Sequence, residues 1–176
     1  MSLQAPFALF VTAKDIDVDN INNGLRRAWE GNYRGGWQLW LATDSYDDIP
    51  KARNDNELPT GTEPPISDTF TSPWVGKSLE DCAKWLQQAP ADSAVHRDYF
   101  TAMNEFSKKD DTVLVCRVKS KDGDKIELEY FPQPTDKIVM EMATNGGLKF
   151  DEKAQNYQRS RMKDGKPDRS KAGPYQ

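Results

Sequence analysis

The apolar positions in the first forty residues follow a strand–helix–strand pattern. The continuous apolar run FALFV at residues 7–11 predicts a strand buried on both faces, and therefore a central one. Apolar residues then recur at helical spacing over residues 18–29, with Asp15 or Asp17 available as the N-cap. The run WQLWLAT at residues 37–43 predicts a second strand. Such a unit implies two parallel strands joined by a right-handed crossover.

The apolar pattern stops over residues 44–76, which we name the acidic loop. Five prolines exclude any long regular element from it, and loops of this length in compact domains are usually functional or disordered. Lys51 and Arg53 are its bases, which leaves five net negative charges. Its seven acids are Asp44, Asp47, Asp48, Asp55, Glu57, Glu63 and Asp68.

Beyond the acidic loop, helical spacing predicts two helices that pack as a hairpin. Ser78 with Asp81 resembles a capping box for the first helix, which ends before Pro90. Asp92 or Ser93 is the cap expected for the second. The residues expected on the buried face of that second helix are Val95, Tyr99, Phe100, Met103 and Phe106.

Two further strands are predicted at residues 112–118 and 125–131. The Asp122-Gly123 pair between them is a strong signal for a β-hairpin turn. In the second strand the pattern alternates, so that one face is expected to meet solvent and the strand to lie at a sheet edge. Its inward residues are Ile126, Leu128 and Tyr130, and its outward residues are Glu127 and Glu129.

A last helix is predicted from Thr135, and the apolar pattern fades after Phe150. Its apolar residues are Ile138, Val139, Met142 and Ala143, and Gly146-Gly147 is expected to end it. The basic tail, residues 151–176, carries seven bases against two acids from Lys153 onward. We therefore predict one α/β domain over residues 1–150, with α+β as the alternative arrangement. Its mixed sheet has about four strands in the order β-α-β-loop-α-α-β-β-α, with helices packed on it.

Length and composition narrow the classes of protein. A chain of 176 residues favours one domain, and a net charge of −4 does not indicate a dedicated nucleic-acid or membrane partner. Without a long apolar run or a basic leader, we expect a soluble intracellular protein, in the cytoplasm. Cys82 and Cys116 sit in apolar patterns and are expected to be free core residues.

Candidate chemistry begins with the aspartates that follow the first two strands. Ligands of open α/β sheets bind beyond the carboxyl ends of parallel strands, where Asp15 and Asp44 are expected. With Asp47 they can hold Mg²⁺ and a phosphate-bearing ligand, and Lys14 can supply a counter-charge. The alternative is that these are ordinary aspartates of solvent-facing turns, with no cofactor.

The string DIDVDN at residues 15–20 has the acidic alternation of a calcium loop. The match fails at its twelfth position, which is Arg26 where a bidentate glutamate is required. Helix capping accounts for the same acids.

His96 is the only histidine and is a candidate general base, together with the carboxylates of Asp15 and Asp44. No nucleophile neighbours it in the sequence. Tyr46 and Trp74 are candidates for a ligand pocket covered by the acidic loop, and Lys14 is a third. Core packing is the alternative role of the aromatic residues.

Two classes of function follow from these observations. The leading hypothesis is a non-enzymatic interaction or regulatory domain that binds a protein partner, or a second copy of itself. It would act through the acidic loop, the basic tail or the edge strand. The alternative is a small-molecule enzyme with an acidic pocket at the ends of the first two strands, under the acidic loop. Binding of nucleic acid through the basic tail is a third, less favoured hypothesis.

Overall fold

In the computed structural model, which describes residues 6–33, 35–52, 59–143 and 149–159, the chain forms a five-stranded mixed sheet. Its strands are β1 (Phe7–Val11), β2 (Leu39–Leu41), β3 (Tyr99–Met103), β4 (Thr112–Asp122) and β5 (Lys125–Pro134). They lie in the order β2-β1-β3-β4-β5; β1 is parallel to β2 and β3, and β4 is antiparallel to β3 and β5. The predicted mixed α/β sheet is confirmed, with one more strand than expected.

Helices cover both faces of the sheet. The helices are α1 (Val18–Gly31), α2 (Leu79–Gln87), α3 (Ser107–Asp110), α4 (Ile138–Ala143) and α5 (Phe150–Arg159). One core packs α1, α4 and α5 against the sheet, and the other packs α2 against the opposite face. The capping boxes of α1 (Asp17 with Asn20) and α2 (Ser78 with Asp81) are both formed.

Strand β1 is central, as its apolar run predicts. All five of its residues are buried because it lies between two strands and under helices on both faces. Its odd-numbered residues belong to the α1 core and its even-numbered residues to the α2 core. The ring of Phe10 meets the ring of Trp74 edge-on, with 4.9 Å between the centroids.

The prediction of a second helix in the hairpin is wrong, because Tyr99–Met103 forms strand β3 beside β1. The residues before it, 92–98, are neither helix nor strand. A short apolar run satisfies both helical and strand templates, and periodicity alone does not separate a doubly buried strand from a helix. The pairing of Ala8 with Phe100 decides the outcome, since it places β3 in the middle of the sheet.

Strand β5 is the last strand of the sheet among the described residues, as predicted, and it pairs with β4 through the turn at Gly123 (φ 59°). The prediction that Glu129 faces solvent is wrong. Glu129 is only 5 % exposed, and its carboxylate is paired with the guanidinium of Arg117. Helix α5 packs over this face, and the Arg117 guanidinium carbon lies 4.6 Å from the centre of the Phe150 ring.

The acidic loop closes the opposite edge of the sheet. The backbone N–H of Gly61 donates to the carbonyl of Trp37 at 2.7 Å, and that of Thr62 donates to Leu39 at 2.8 Å. In its described part, residues 44–52 and 59–76, the loop contains no helix or strand, in line with its prolines. Lys51 forms an isolated bridge with Ser93.

The first residues of the basic tail belong to the folded domain. Helix α5 buries Phe150, Ala154 and Tyr157, so regular structure that packs on the sheet continues past Phe150, where the apolar pattern fades. Sparse helical spacing hid this short helix, because only its few inward residues are apolar. Residues 160–176 lie outside the described residues, as do Asp55 and Glu57 of the acidic loop and the predicted helix stop Gly146-Gly147.

Candidate functional site

The carboxyl ends of β1 and β3 form the point at which the sheet connections diverge. From β1 the chain passes through α1 to β2 on one side, and from β3 it passes through α3 to β4 on the other side. Adjacent parallel strands with diverging connections leave a crevice between their ends, and open α/β sheets bind ligands there. The sequence predicted a ligand site at the carboxyl ends of the first two strands. Because β3 lies beside β1, the point where the connections diverge is instead at the ends of β1 and β3.

A cavity of ≈ 400 Å³ lies at this point, and we name it the switch-point pocket. Its apolar lining residues are buried, and most of its lining residues are polar. The residues that line it are Ile16, Asn20, Asn23, Arg27, Met103, Ser107, Lys108, Asp111 and Thr135.

Helix α1 supplies one wall of the pocket. Asn20, Asn23 and Arg27 are spaced three and four residues apart, which places them along one face of the helix. The Oδ1 of Asn20 accepts the backbone N–H of Asp17 at 3.1 Å, which leaves the Asn20 amide NH₂ as a donor. Asn20 therefore both takes part in capping α1 and lines the pocket.

Arg27 links the α1 wall to the opposite wall. Its Nη2 lies 2.6 Å from the Oδ2 of Asp111 and 4.0 Å from the Oδ2 of Asp136. The Nε of Arg27 is buried and has no hydrogen-bond partner among the residues that the structure describes. Buried donors are nearly always paired in folded proteins, so this guanidinium keeps unused donor capacity.

The segment after β3 supplies the opposite wall. Asp111 has a left-handed backbone (φ 52°), and its carbonyl accepts the N–H of Thr135 at 3.1 Å. Aspartate tolerates this conformation better than most residues. The buried Ser107 accepts the Asn104 N–H at 2.9 Å through its Oγ, while Lys108 is exposed.

The floor of the pocket depends on the absence of a side chain at Gly24. A Cβ at this position would lie 2.3 Å from the Cε of Met103, so the glycine makes room for the methionine. Met103 and Ile16 then form an apolar floor under polar walls. This combination suits a ligand that has both hydrogen-bonding groups and a hydrocarbon face.

The site residues predicted from the sequence after β1 lie next to the switch-point pocket in the chain but do not line it. Lys14 and Asp15 are exposed on the segment after β1, and neither is among the residues that line the cavity. Asp47 is exposed, and its backbone N–H donates to the Oγ of Ser45 at 3.1 Å. Over the described ranges no three His, Cys, Asp or Glu side chains form a group that can hold a metal ion. Asp15, Asp44 and Asp47 are thus not assembled as such a group.

Asp44 and Trp74 are brought together in a second cavity, of ≈ 520 Å³, on the α2 side of the sheet. Two lysines and a second aspartate give this cleft equal numbers of acids and bases. The residues that line it are Asp44, Pro73, Trp74, Lys77, Asp81, Lys84, Trp85 and Gln88.

The aromatic candidates of this region are largely used in packing. Trp74 is 7 % exposed, and its Nε1 donates to the carbonyl of Thr43 at 3.1 Å. The hydroxyl of Tyr46 donates to the Trp85 carbonyl at 2.6 Å, and the two rings stack with centroids 4.4 Å apart. Burial raises the pKa of Tyr46 above its ordinary value, which keeps this hydroxyl a donor.

His96 lies at the opposite end of the sheet from Asp15 and Asp44. Its backbone N–H donates to the carbonyl of Pro6, just before β1, whereas the two aspartates follow the carboxyl ends of β1 and β2. Its ring stacks on Phe7 with centroids 4.6 Å apart, and burial lowers its pKa. A joint site of His96 with the two aspartates is therefore excluded by the direction of the strands.

Sequence reasoning missed most of the pocket, including Asn23, Arg27, Ser107, Lys108 and Asp111. The polar spacing on α1 was visible, yet a polar face of a surface helix normally just meets solvent. The residues after β3 carry no such signal as long as helical spacing predicts a helix at residues 99–106.

Comparison with known proteins adds no relative from which a role could be transferred. No family model matches the chain, and no curated protein or solved structure is significantly similar to it.

Proposed function

We propose that this protein is a small-molecule-binding domain whose ligand occupies the switch-point pocket. The observation that carries the proposal is the position of an ≈ 400 Å³ polar cavity at the carboxyl ends of two adjacent parallel strands whose connections diverge. Ligand sites of open α/β sheets recur at this position. The volume lies within the range of about 300–1,000 Å³ that small-molecule pockets occupy.

The cleft beside Asp44 supports ligand binding less well. One face of Trp85 is stacked on Tyr46, and Trp74 is almost fully buried against Phe10. Aromatic surface already used in packing is not available to a ligand. The proposal therefore takes up the small-molecule ligand of the alternative hypothesis, in place of the leading interaction-domain hypothesis, and moves its site from the first two strands to β1 and β3.

Filling the pocket from its rim tests the proposal. Asn23 is exposed on α1, so Asn23→Phe places a ring into the cavity with little effect on the core. Asn156→Phe is the matched control, since it makes the same change at an exposed position of α5. A thermal-shift screen of charged and neutral metabolites is run on the wild type and both variants.

We expect at least one compound to raise the melting temperature of the wild type and of Asn156→Phe. The same compound should not change the melting temperature of Asn23→Phe, because the ring fills the pocket. The proposal is abandoned if no compound does so, or if every active compound acts equally on both variants.

A second candidate function, self-association, is favoured by Tyr33. This residue is 87 % exposed and has a left-handed backbone (φ 53°), which is costly for a bulky side chain. Four residues to either side in sequence, Trp29 and Trp37 are partly buried and stack on each other with centroids 4.8 Å apart. An exposed tyrosine is typical of a binding hot spot. The opposite charges of the acidic loop and basic tail favour a second copy of the chain as the occupant.

Sedimentation velocity at low and high salt tests this candidate. Wild type is expected to form dimers that dissociate as salt rises, and Tyr33→Ser is expected to remain monomeric. Val75→Ser, at another exposed apolar residue, is the control and should dimerise like the wild type. A monomeric wild type at all salt concentrations would rule self-association out.

A further inference from the structure

We infer that the switch-point pocket binds a small hydroxylated anion, of the phosphorylated or carboxylated polyol class. This inference rests on the proposed function and adds the chemistry of the ligand. It follows from the balance of donors and acceptors on the pocket walls, from the ion pair that Asp111, the acidic lining residue, forms with Arg27, and from the size of the cavity.

Hydrogen-bond donors dominate the walls. Arg27 and Lys108 are the two cationic side chains among the lining residues, and Asn20 adds an amide NH₂ that helix capping does not use. A wall rich in charged donors is complementary to an oxyanion, because such hydrogen bonds are stronger than neutral ones.

Asp111 is the one carboxylate among the lining residues, and it does not set the charge of the pocket. Its Oδ2 lies 2.6 Å from the Nη2 of Arg27, so its negative charge is neutralised at short range. Lys108 then leaves the lining with one net positive charge. Asp136, which is not among the lining residues, lies 4.0 Å from the same Nη2. Because both carboxylates approach this one nitrogen and a guanidinium has five N–H donors, Arg27 keeps other N–H groups for a further oxyanion.

The remaining polar side chains match hydroxyl groups. The amide of Asn23 both donates and accepts, and the second oxygen of Asp111 accepts. Met103 and Ile16 supply an apolar floor for the C–H face of a polyol. A volume of ≈ 400 Å³ is near the lower end of the usual range for ligand sites, which favours one small molecule over a dinucleotide.

Titration calorimetry at constant ionic strength tests the inference. The probes are glucose 6-phosphate, gluconate and uncharged sorbitol. The chain supplies matched controls in adjacent residues: Lys108→Gln is compared with Lys109→Gln, and Arg27→Lys with Arg26→Lys. Lys109 and Arg26 are exposed and are not among the lining residues.

We expect at least one anionic probe to bind at least tenfold more tightly than sorbitol. Lys108→Gln should weaken that binding by about tenfold, while Lys109→Gln leaves it within about twofold. Arg27→Lys, which keeps the charge and removes the planar fork, should also weaken it, and Arg26→Lys should not. Binding of the phosphate probe alone identifies a phosphorylated ligand, and binding of gluconate alone a carboxylated one.

The inference is overturned if neither anion binds, if sorbitol binds as tightly, or if Lys108→Gln and Lys109→Gln behave alike. The proposed function fails separately. A neutral or cationic compound that stabilises Asn156→Phe but not Asn23→Phe would overturn the anion inference and leave small-molecule binding in place. If no compound distinguishes those two variants, both fail.

Discussion

The guanidinium of Arg117 on β4 is paired with the buried carboxylate of Glu129 on β5, directly across the strand pair. The side chain of Glu129 is 7 % exposed, and Arg117 also pairs with Asp151 of α5. One arginine therefore joins the last two strands to the helix that covers them. A buried carboxylate is tolerated here because it is paired.

Removal of this arginine is expected to destabilise the protein strongly. Arg117→Met leaves Glu129 buried without its main partner and should lower the free energy of unfolding by about 3 kcal/mol. We take the low end of the usual range because the Nζ of Lys119 remains 3.6 Å from the Oε1 of Glu129. Urea denaturation measures the change.

Lys119→Met is the control, since the side chain of Lys119 is 49 % exposed and its loss should cost less than about 1 kcal/mol. The double variant Arg117→Met with Glu129→Leu should recover much of the loss, because it removes the unpaired charge. Equal effects of Arg117→Met and Lys119→Met would show that the pair is not important for stability.

Gly61 is expected to be essential for closing the β2 edge. A Cβ at this position would lie 2.3 Å from the carbonyl oxygen of Leu39, so Gly61→Ala must move the acidic loop away from the strand. Overpacking of this kind costs about 1–3 kcal/mol. The cost is measured by urea denaturation and by faster hydrogen exchange of the Thr62 amide, which donates to Leu39.

Gly36→Ala provides the comparison, because its nearest neighbour is the side-chain amide of Gln38 at 3.2 Å. That side chain is flexible, and the change should be within about 0.5 kcal/mol. If Gly61→Ala is equally mild, the loop does not hold the edge as the structure shows.

His96 is expected to make the protein less stable in mild acid. Burial lowers the pKa of its imidazole in the folded state, so the unfolded chain binds this proton first as the pH falls. The stability that the neutral His96 ring contributes is fully present above its pKa in the unfolded chain, about 6.5. This stability is lost as the pH falls from there through the lower pKa of His96 in the folded protein. His96→Phe keeps a ring stacked on Phe7 and cannot titrate.

Thermal unfolding between pH 7.5 and 5 measures the difference between the two proteins. Wild type should lose stability relative to His96→Phe across this range, and its single imidazole NMR signal should titrate below 6.5. Parallel pH profiles with an ordinary imidazole titration would contradict this prediction.

The two cysteines are expected to be unreactive in the folded protein. Both are buried, and burial raises the pKa of Cys82 to about 12 and that of Cys116 well above its ordinary value. Because the thiolate is the reactive form, an aromatic disulfide reagent at pH 8 should modify neither thiol of the native protein. The same reagent should modify two thiols per chain in denaturant. Rapid labelling of the native protein would contradict the burial of these residues.

The same raised pKa values predict that the protein becomes less stable at mildly alkaline pH. Cysteines in the unfolded chain ionise near their ordinary pKa while those in the folded protein stay protonated, so stability falls as the pH rises above about 8.5. Cys82→Ala with Cys116→Ala should show a flatter profile between pH 8 and 10, apart from its lower starting stability. Identical slopes would show that the thiols do not contribute.

Local sequence determined the elements whose signals are contained within a few residues. The continuous apolar run of β1, the N-cap at Asp17, the capping box at Ser78 and the Gly123 turn all act over short distances, and each forms as predicted, Asp17 being one of the two N-cap candidates. For the same reason the mixed α/β class could be stated in advance, because it follows from the succession of such elements.

Tertiary structure alone decided which strands become neighbours, whether a short apolar run becomes a helix or a strand, and which polar residues are covered by a helix. Tyr99–Met103 is a strand because β1 and β4 flank it, and Glu129 is buried because α5 packs above it. The switch-point pocket exists only once β3 lies beside β1, since that neighbour brings Asp111 to Arg27. Such contacts join residues far apart in the chain, and no local periodicity encodes them.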